Sequence, residues 1–151
     1  AIIVKTMATA KVLGVVGCGN LGTQVSLRAM RAGLRLVAFD LERDRVPSGA
    51  EAARSVKDVV DGVGDDGSIV SVLPNDEALR TVAGELAASR RPLLHVSCST
   101  VSPGASREVA SAHDVAGQRF AAAPVFGRPE NVRDDEATFV VSGPDRDAAR
   151  A

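Results

Sequence analysis

Hydrophobic and polar positions along the chain follow two periods in turn. Short stretches at 11–16, 34–39, 68–73, 92–96, 119–125 and 138–142 are apolar on successive residues and rich in Val and Leu. That pattern predicts strands buried on both faces. The segments between them switch to helical spacing. In 20–32, Leu21, Val25, Ala29 and Ala32 fall on one face, with Gln24, Arg28 and Arg31 on the other. Further helices are predicted over 50–60, over 75–88 with Leu79, Val82 and Leu86 as the inner stripe, and from Ser102-Pro103 to about residue 112. Gly33 stops the first helix, and Ser102 with Pro103 supplies an N-cap and a first helical residue for the last. Gly62, Gly64 and Gly67 read as a flexible turn, and 131–136 as a solvated charged loop. Strand and helix alternate throughout, which implies an α/β fold with a doubly wound, mostly parallel sheet in a single domain over 11–151. Residues 1–10 are expected to be a disordered or remnant terminus, and 145–151 the opening of another helix.

One junction carries chemistry. The first strand runs into Gly17-Cys18-Gly19-Asn20-Leu21-Gly22, and a helical pattern leaves it. Gly17 allows a sharp turn, Gly19 lets a pyrophosphate approach the backbone, and Gly22 lets the helix pack on the strand with its N-terminal amides facing the phosphates. Asp40 stands at the tip of the second strand, where an acid accepts hydrogen bonds from an adenosine ribose and repels a 2′-phosphate. The expected cofactor is therefore NAD or NADP, with NAD favoured by Asp40. Arg43 and Arg45 follow closely, and a guanidinium there can pair with the phosphate of NADP. A strand-helix turn with no ligand, closed by a turn-opening Asp, is the structural alternative.

Ser99 and Thr100 lie beyond the carboxyl end of a later strand, where open α/β sheets bind ligands. They are candidates for contacts to the nicotinamide ribose or the substrate. His95 reads as a packed or edge histidine, and His113 as a histidine favoured by the dipole at a helix C-terminus.

Bulk properties narrow the picture little. The net charge of -1 gives no reason to expect nucleic acid or an anionic membrane as partner, and no apolar run approaches the ~20 residues of a membrane span. Cys18 and Cys98 have neither disulfide nor metal-ligand spacing. They read as reduced thiols of a cytoplasmic protein, with an organellar location left open.

With these residues placed, the chain resembles the N-terminal cofactor domain, of Rossmann type, of the β-hydroxyacid dehydrogenases. That superfamily includes 3-hydroxyisobutyrate dehydrogenase and 6-phosphogluconate dehydrogenase, with imine reductases as relatives. The resemblance rests on Gly17 to Gly22, on Val72-Leu73-Pro74, on Ser99-Thr100-Val101-Ser102-Pro103 and on Ala123-Pro124-Val125-Phe126-Gly127. It implies that Gly17, Gly19, Asn20, Leu21 and Gly22 hold the dinucleotide, that Leu73 and Pro74 line it, and that Thr100 reaches its nicotinamide end. It also implies that Ser99, Phe126, Gly127 and Arg128 border a small-molecule substrate. At the last three the family's common Ser-Gly-Gly is replaced by Phe126-Gly127-Arg128.

In the family a catalytic lysine lies beyond this domain, in a glycine-rich segment followed by an all-helical domain that builds a homodimer. Lys5, Lys11 and Lys57 are the only lysines, and none has that context. The expectation is a cofactor-binding fragment of a hydride-transferring oxidoreductase, with no catalytic residue of its own and little or no turnover. A non-catalytic dinucleotide-binding module is the alternative. A methyltransferase with a similar first turn fits the later motifs less well.

Overall fold

The computed structural model describes residues 12–144. Five predicted strands form one parallel sheet: β1 (Val12–Val16), β2 (Arg35–Phe39), β4 (Gly67–Ser71), β5 (Leu93–Ser97) and β6 (Arg119–Ala122). A two-residue β3 (Glu51–Ala52) adds the edge, giving the order β3-β2-β1-β4-β5-β6. The helices are α1 (Asn20–Arg31), α2 (Val56–Val63), α3 (Asp76–Ala88), α4 (Pro103–Val115) and the short α5 (Pro129–Arg133). Beyond the sheet, β7 (Val125–Phe126) and β8 (Thr138–Phe139) pair antiparallel.

Alternation along the strands sorts the core into two layers. Leu13 and Val15 of β1, Leu36 and Ala38 of β2, and Leu94 and Val96 of β5 join Val25 and Ala29 of α1 and Val132 of α5. Val16, Val37, Ile69 and Leu93 face the other way, onto Val56, Val59 and Val60 of α2 and Val82 and Leu86 of α3. Leu79, Ala83, Val109 and Phe120 extend that second layer under α4. The interior strands bury both faces, and the sheet is doubly wound.

Several local expectations are corrected. The helix expected over 50–60 splits. Its first residues join the sheet, with Glu51 and Ala52 opposite Val37 and Ala38, and the helix starts only where the Ser55 hydroxyl accepts the Asp58 amide at 3.1 Å. Sheet hydrogen bonds at an open edge outweigh the helix propensity of the alanines there. The glycines at 62, 64 and 67 do not form a flexible turn. Gly62 lies within α2, where a Cβ would come within 2.9 Å of Val37, Gly64 caps that helix, and Gly67 begins β4 against Val63.

The strand expected over 119–125 breaks because Pro124 has no N–H for the ladder. The strand expected over 138–142 shortens to β8, and Ser142 returns to exchange both backbone hydrogen bonds with Ala122 at 2.8 and 2.9 Å. The expected solvated loop at 131–136 is partly α5, whose Val132 is buried. Arg28, expected outward, donates to the Val132 carbonyl at 3.2 Å and pairs with Asp135. Ala32, expected inward, is the exposed C-cap of α1. The expectations for 1–10 and 145–151 lie outside the described residues.

The histidines form a buried polar chain. His95 sits on an interior strand and is fully buried, with Phe120 opposite it on β6. His113 is equally buried, so burial and not the helix dipole governs it. Successive contacts link Ser71 Oγ to His95 Nε2 at 2.8 Å, His95 Nδ1 to His113 Nε2 at 2.8 Å, and His113 Nδ1 to Gln118 Oε1 at 2.7 Å. Gln118 Nε2 donates to the Leu86 and Arg91 carbonyls at 2.8 and 3.0 Å. Its Oε1 must therefore accept from His113 Nδ1–H. With both rings neutral, His95 Nδ1–H then donates to His113, and the Ser71 hydroxyl to His95. Every group is satisfied by one direction of donation.

Protonating His113 sets its N–H against the His95 N–H, and protonating His95 obliges the Ser71 hydroxyl to accept instead of donate, so either breaks that direction. Burial, and then the neighbouring His113, hold His95 well below the ordinary value of 6.5, and burial holds His113 below it. Below that ordinary value the unfolded chain binds protons that the folded chain does not, so stability must fall as pH falls. The urea midpoint should be level above about pH 7.5 and drop steadily below 6.5, reaching toward two protons of dependence. An equal midpoint at pH 7.5 and 5.5 would contradict the neutral chain. His113→Ala, which strands the Gln118 oxygen and the His95 N–H, should cost about 1–3 kcal/mol for each group left unpaired.

Candidate functional site

The sheet order reverses direction between β1 and β4, and a crevice opens outside the strands' carboxyl ends at that point. β1 ends at Val16, and Gly17 turns the chain with φ +94°, a conformation that favours glycine. α1 then begins at Asn20. Its start lies so close to the turn that a Cβ on Gly22 would stand 1.9 Å from the Gly17 carbonyl oxygen. No side chain caps α1. The amides of Asn20, Leu21 and Gly22 precede the first helical hydrogen bond, which Thr23 makes to the Gly19 carbonyl at 2.8 Å. Nothing lies within 4 Å of the place a Cβ on Gly19 would take. Open space beside uncommitted amides, at the positive end of a helix, is what a pyrophosphate requires. The residues present fit a dinucleotide.

The crevice has a volume of about 760 Å³. Its walls include Gly17, Gly19, Asn20, Leu21 and Gly22 after β1, Asp40, Leu41 and Glu42 after β2, Leu73 and Pro74 after β4, and Ser99 and Thr100 after β5. All nine residues expected at the cofactor thus border one cleft, and Ser99 with them.

Their engagements differ. The Asp40 carboxylate accepts the Cys18 amide at 2.7 Å through Oδ2 and the Glu42 amide at 2.9 Å through Oδ1. Ser99 is buried, and its hydroxyl accepts the Leu73 amide at 2.8 Å, tying the loop after β4 to the loop after β5. Asp76 adds a second tie, accepting the Ser102 amide at 2.9 Å and hydroxyl at 2.5 Å. Those two hydrogen bonds hold the Asp76 carboxyl below the usual range. Thr100 stands exposed between the two ties.

Phe126, Gly127 and Arg128 do not border the cleft. They lie where β7 leads into α5, with Phe126 64% exposed and the Arg128 amide held by Asn131 Oδ1 at 2.7 Å. Of the two arginines after β2, only Arg45 borders the cleft, and it is paired with Glu42 at 2.8 Å. The residues not anticipated are Glu77, Thr81 and Glu85, which line the cleft from α3 together with Glu42. Their spacing of four was visible in the sequence, but it marks the polar face of a helix and does not distinguish a cleft wall from open solvent.

Both cysteines are buried and free. Burial, and then the Asp40 charge, push the Cys18 thiol up to about 11, and burial pushes Cys98 to about 12. Both are thiols at neutral pH and weak nucleophiles. Among the described residues no group of three or more metal-ligating side chains is placed to hold an ion, and no helix is long and apolar enough to cross a membrane.

A doubly wound sheet with an uncapped glycine-rich turn at its switch point defines a dinucleotide-binding domain. The family model described as the NAD binding domain of 6-phosphogluconate dehydrogenase matches residues 12–151, and the chain belongs to that family. It is 32% identical over 150 residues to a 3-hydroxyisobutyrate dehydrogenase of Pseudomonas aeruginosa, covering 89% of this chain and 47% of that protein. It is 30% identical to an NAD-dependent L-serine dehydrogenase of the same organism, covering 88% of this chain and 46% of that protein. The Mycobacterium tuberculosis 3-hydroxyisobutyrate dehydrogenase, solved with L-serine, superposes with a TM-score of 0.81 at 24% identity, over 92% of this chain and 50% of that one. The chain thus spans about half the length of the curated relatives it matches and is the NAD-binding domain of a hydroxyacid dehydrogenase family.

The second and third glycines of the turn, Gly19 and Gly22, should separate in a stability measurement. Gly22→Ala must push apart the turn and helix and should cost about 3 kcal/mol or more. Gly19→Ala meets open space at φ -65° and should cost only about 1 kcal/mol in urea unfolding, the difference between glycine and alanine as an N-cap. Equal losses would contradict the close approach at Gly22.

Proposed function

We propose that this chain binds NAD in preference to NADP, as the cofactor half of an oxidoreductase that moves a hydride between nicotinamide and a small hydroxyacid-type substrate. The observation that carries the reading is the set of free amides at Asn20, Leu21 and Gly22 facing open space at Gly19. In this reading Gly17, Gly19, Asn20, Leu21 and Gly22 hold the pyrophosphate, and Asp40 takes the adenosine ribose. Leu73 and Pro74 line the dinucleotide, and Thr100 meets its nicotinamide end. The preference for NAD is supported by charge. The carboxylates of Asp40, Glu42, Glu77 and Glu85 border the cleft, and its one cation among the described residues, Arg45, is already paired. A 2′-phosphate would add negative charge to a wall that repels it.

Bound nicotinamide supplies the hydride acceptor or donor. Interconverting an alcohol and a carbonyl also needs a group that exchanges a proton near neutral pH. Among the described residues bordering the cleft there is no histidine, lysine or tyrosine, and Cys98 holds its proton to about 12. The relatives run about as far again as this chain, and we assign the proton-exchanging group to such a further domain. Ser99, Phe126, Gly127 and Arg128 would border the substrate only once that domain is in place. Phe126 in particular is 64% exposed here, consistent with a surface meant to be covered.

Fluorescence titration with NADH and with NADPH tests the cofactor claim. NADH should saturate, NADPH should bind at least about tenfold more weakly, and Gly19→Ala should lose about tenfold or more in NADH affinity while staying folded. A folded chain that binds neither nucleotide would overturn the reading, and a preference for NADPH would overturn the role given to Asp40.

A further inference from the structure

We infer that Asp40 is a positioning residue for the phosphate-binding turn, in addition to the ribose contact assigned to it, and that the turn keeps its shape before any ligand arrives because the Asp40 carboxylate holds it. The inference rests on the cofactor reading above. Two hydrogen bonds fix the turn to the end of β2, and a third orients the carboxylate that makes one of them. The Gly17 amide donates to the Phe39 carbonyl at 2.9 Å, continuing the sheet by one step. The Cys18 amide donates to Asp40 Oδ2 at 2.7 Å. The Glu42 amide donates to Asp40 Oδ1 at 2.9 Å, so the carboxylate is gripped from both sides.

The consequence is specific to the position of Cys18. It stands between Gly17, whose φ of +94° makes the turn, and Gly19, the N-cap of α1. No side chain caps α1, so Asp40 provides the side-chain anchor for the segment joining β1 to that helix. A charge-assisted bond of this kind is about twice as strong as a neutral one. The Cys18 side chain is buried beneath it, and Thr23 Oγ1 donates to the Cys18 carbonyl at 2.8 Å, so both backbone polar groups of that residue are fixed. The amides of Asn20, Leu21 and Gly22 inherit their aim from it.

The two roles of Asp40 predict opposite signs for one ligand. Inorganic pyrophosphate has no ribose. If Asp40 only contacts ribose, Asp40→Asn removes a negative charge near the anion and should leave pyrophosphate binding unchanged or tighter. If Asp40 holds the turn, the same variant should weaken pyrophosphate despite the lost repulsion, because the bond to the Cys18 amide loses its charge assistance and, in one of the two amide orientations, faces an NH₂ group. The experiment is competition of pyrophosphate against NADH on the parent and Asp40→Asn, with amide exchange and proton chemical shifts read by NMR on the same samples.

The expected results are at least about tenfold weaker pyrophosphate competition and at least about tenfold faster exchange of the Cys18 amide, with its proton resonance moved upfield. The Val15 amide, in the core strand, should stay as slow as in the parent, which separates loss of the turn from loss of the fold. Pyrophosphate binding equal or tighter in the variant, or a Cys18 amide as slow as in the parent, would overturn the inference. If the parent binds no NADH, the cofactor reading fails, and the Cys18 exchange rate alone still decides whether Asp40 holds the turn.

Discussion

The structure depends on one close approach. Gly22 lies against the Gly17 carbonyl at a distance that leaves no room for a Cβ, and that contact brings the first turn of α1 onto the end of β1. A larger residue at either place would move the helix away from the strand. The helix could still bury Val25 and Ala29 on the sheet, but its first amides would no longer border the crevice. Packing in the core and the aim of the amides are thus set by the same two backbones. The core tolerates some repacking, whereas the approach at Gly22 has no slack.

Charge around the crevice follows from that geometry. The helix start presents partial positive charge from uncommitted amides, and the surrounding loops present carboxylates. The mixture suits a ligand that is anionic at its centre and uncharged at its ends. It suits a further phosphate on the ribose poorly, because Arg45 is occupied by Glu42. Asp40 belongs to both parts, as an acid on the cleft wall and as the acceptor that pins the Cys18 amide.

The sequence made the five longer strands of the sheet, four of the helices and much of the wall of the crevice legible because each depends on local pattern. Apolar runs mark strands buried on both faces, and a glycine cluster between strand and helix has few other uses. What stayed illegible depends on partners distant in the chain. Glu51 and Ala52 read as helix, and only the open edge of β2 draws them into the sheet. Arg28 reads as solvent-facing, and only α5 and the turn after it, more than a hundred residues on, supply the Val132 carbonyl and Asp135 that hold it. Pro124 carried a visible signal, since its missing N–H ends the ladder where a longer strand was expected. The substrate side was the least legible. Phe126, Gly127 and Arg128 are placed by motif order beside a substrate, yet they stand away from the cleft in the described residues.

The two ends of the sheet carry different loads. At the carboxyl ends, function requires amides without partners and loops open to a ligand, so that end contributes little cohesion. The chain of Ser71, His95, His113 and Gln118 begins near this edge and runs to the opposite one, where Gln118 gathers the carbonyls of Leu86 and Arg91. It joins β4, β5 and α4 to the turn that follows α3. An apolar filling of equal volume could pack as well, but it would leave the Arg91 carbonyl without its donor, at a cost of about 1–3 kcal/mol, and the Leu86 carbonyl with only Ser89 to donate to it. A directional chain of neutral histidines meets that need and adds no charge to the interior. The fold can then leave the amides of α1 open, because cohesion is secured where no ligand has to enter.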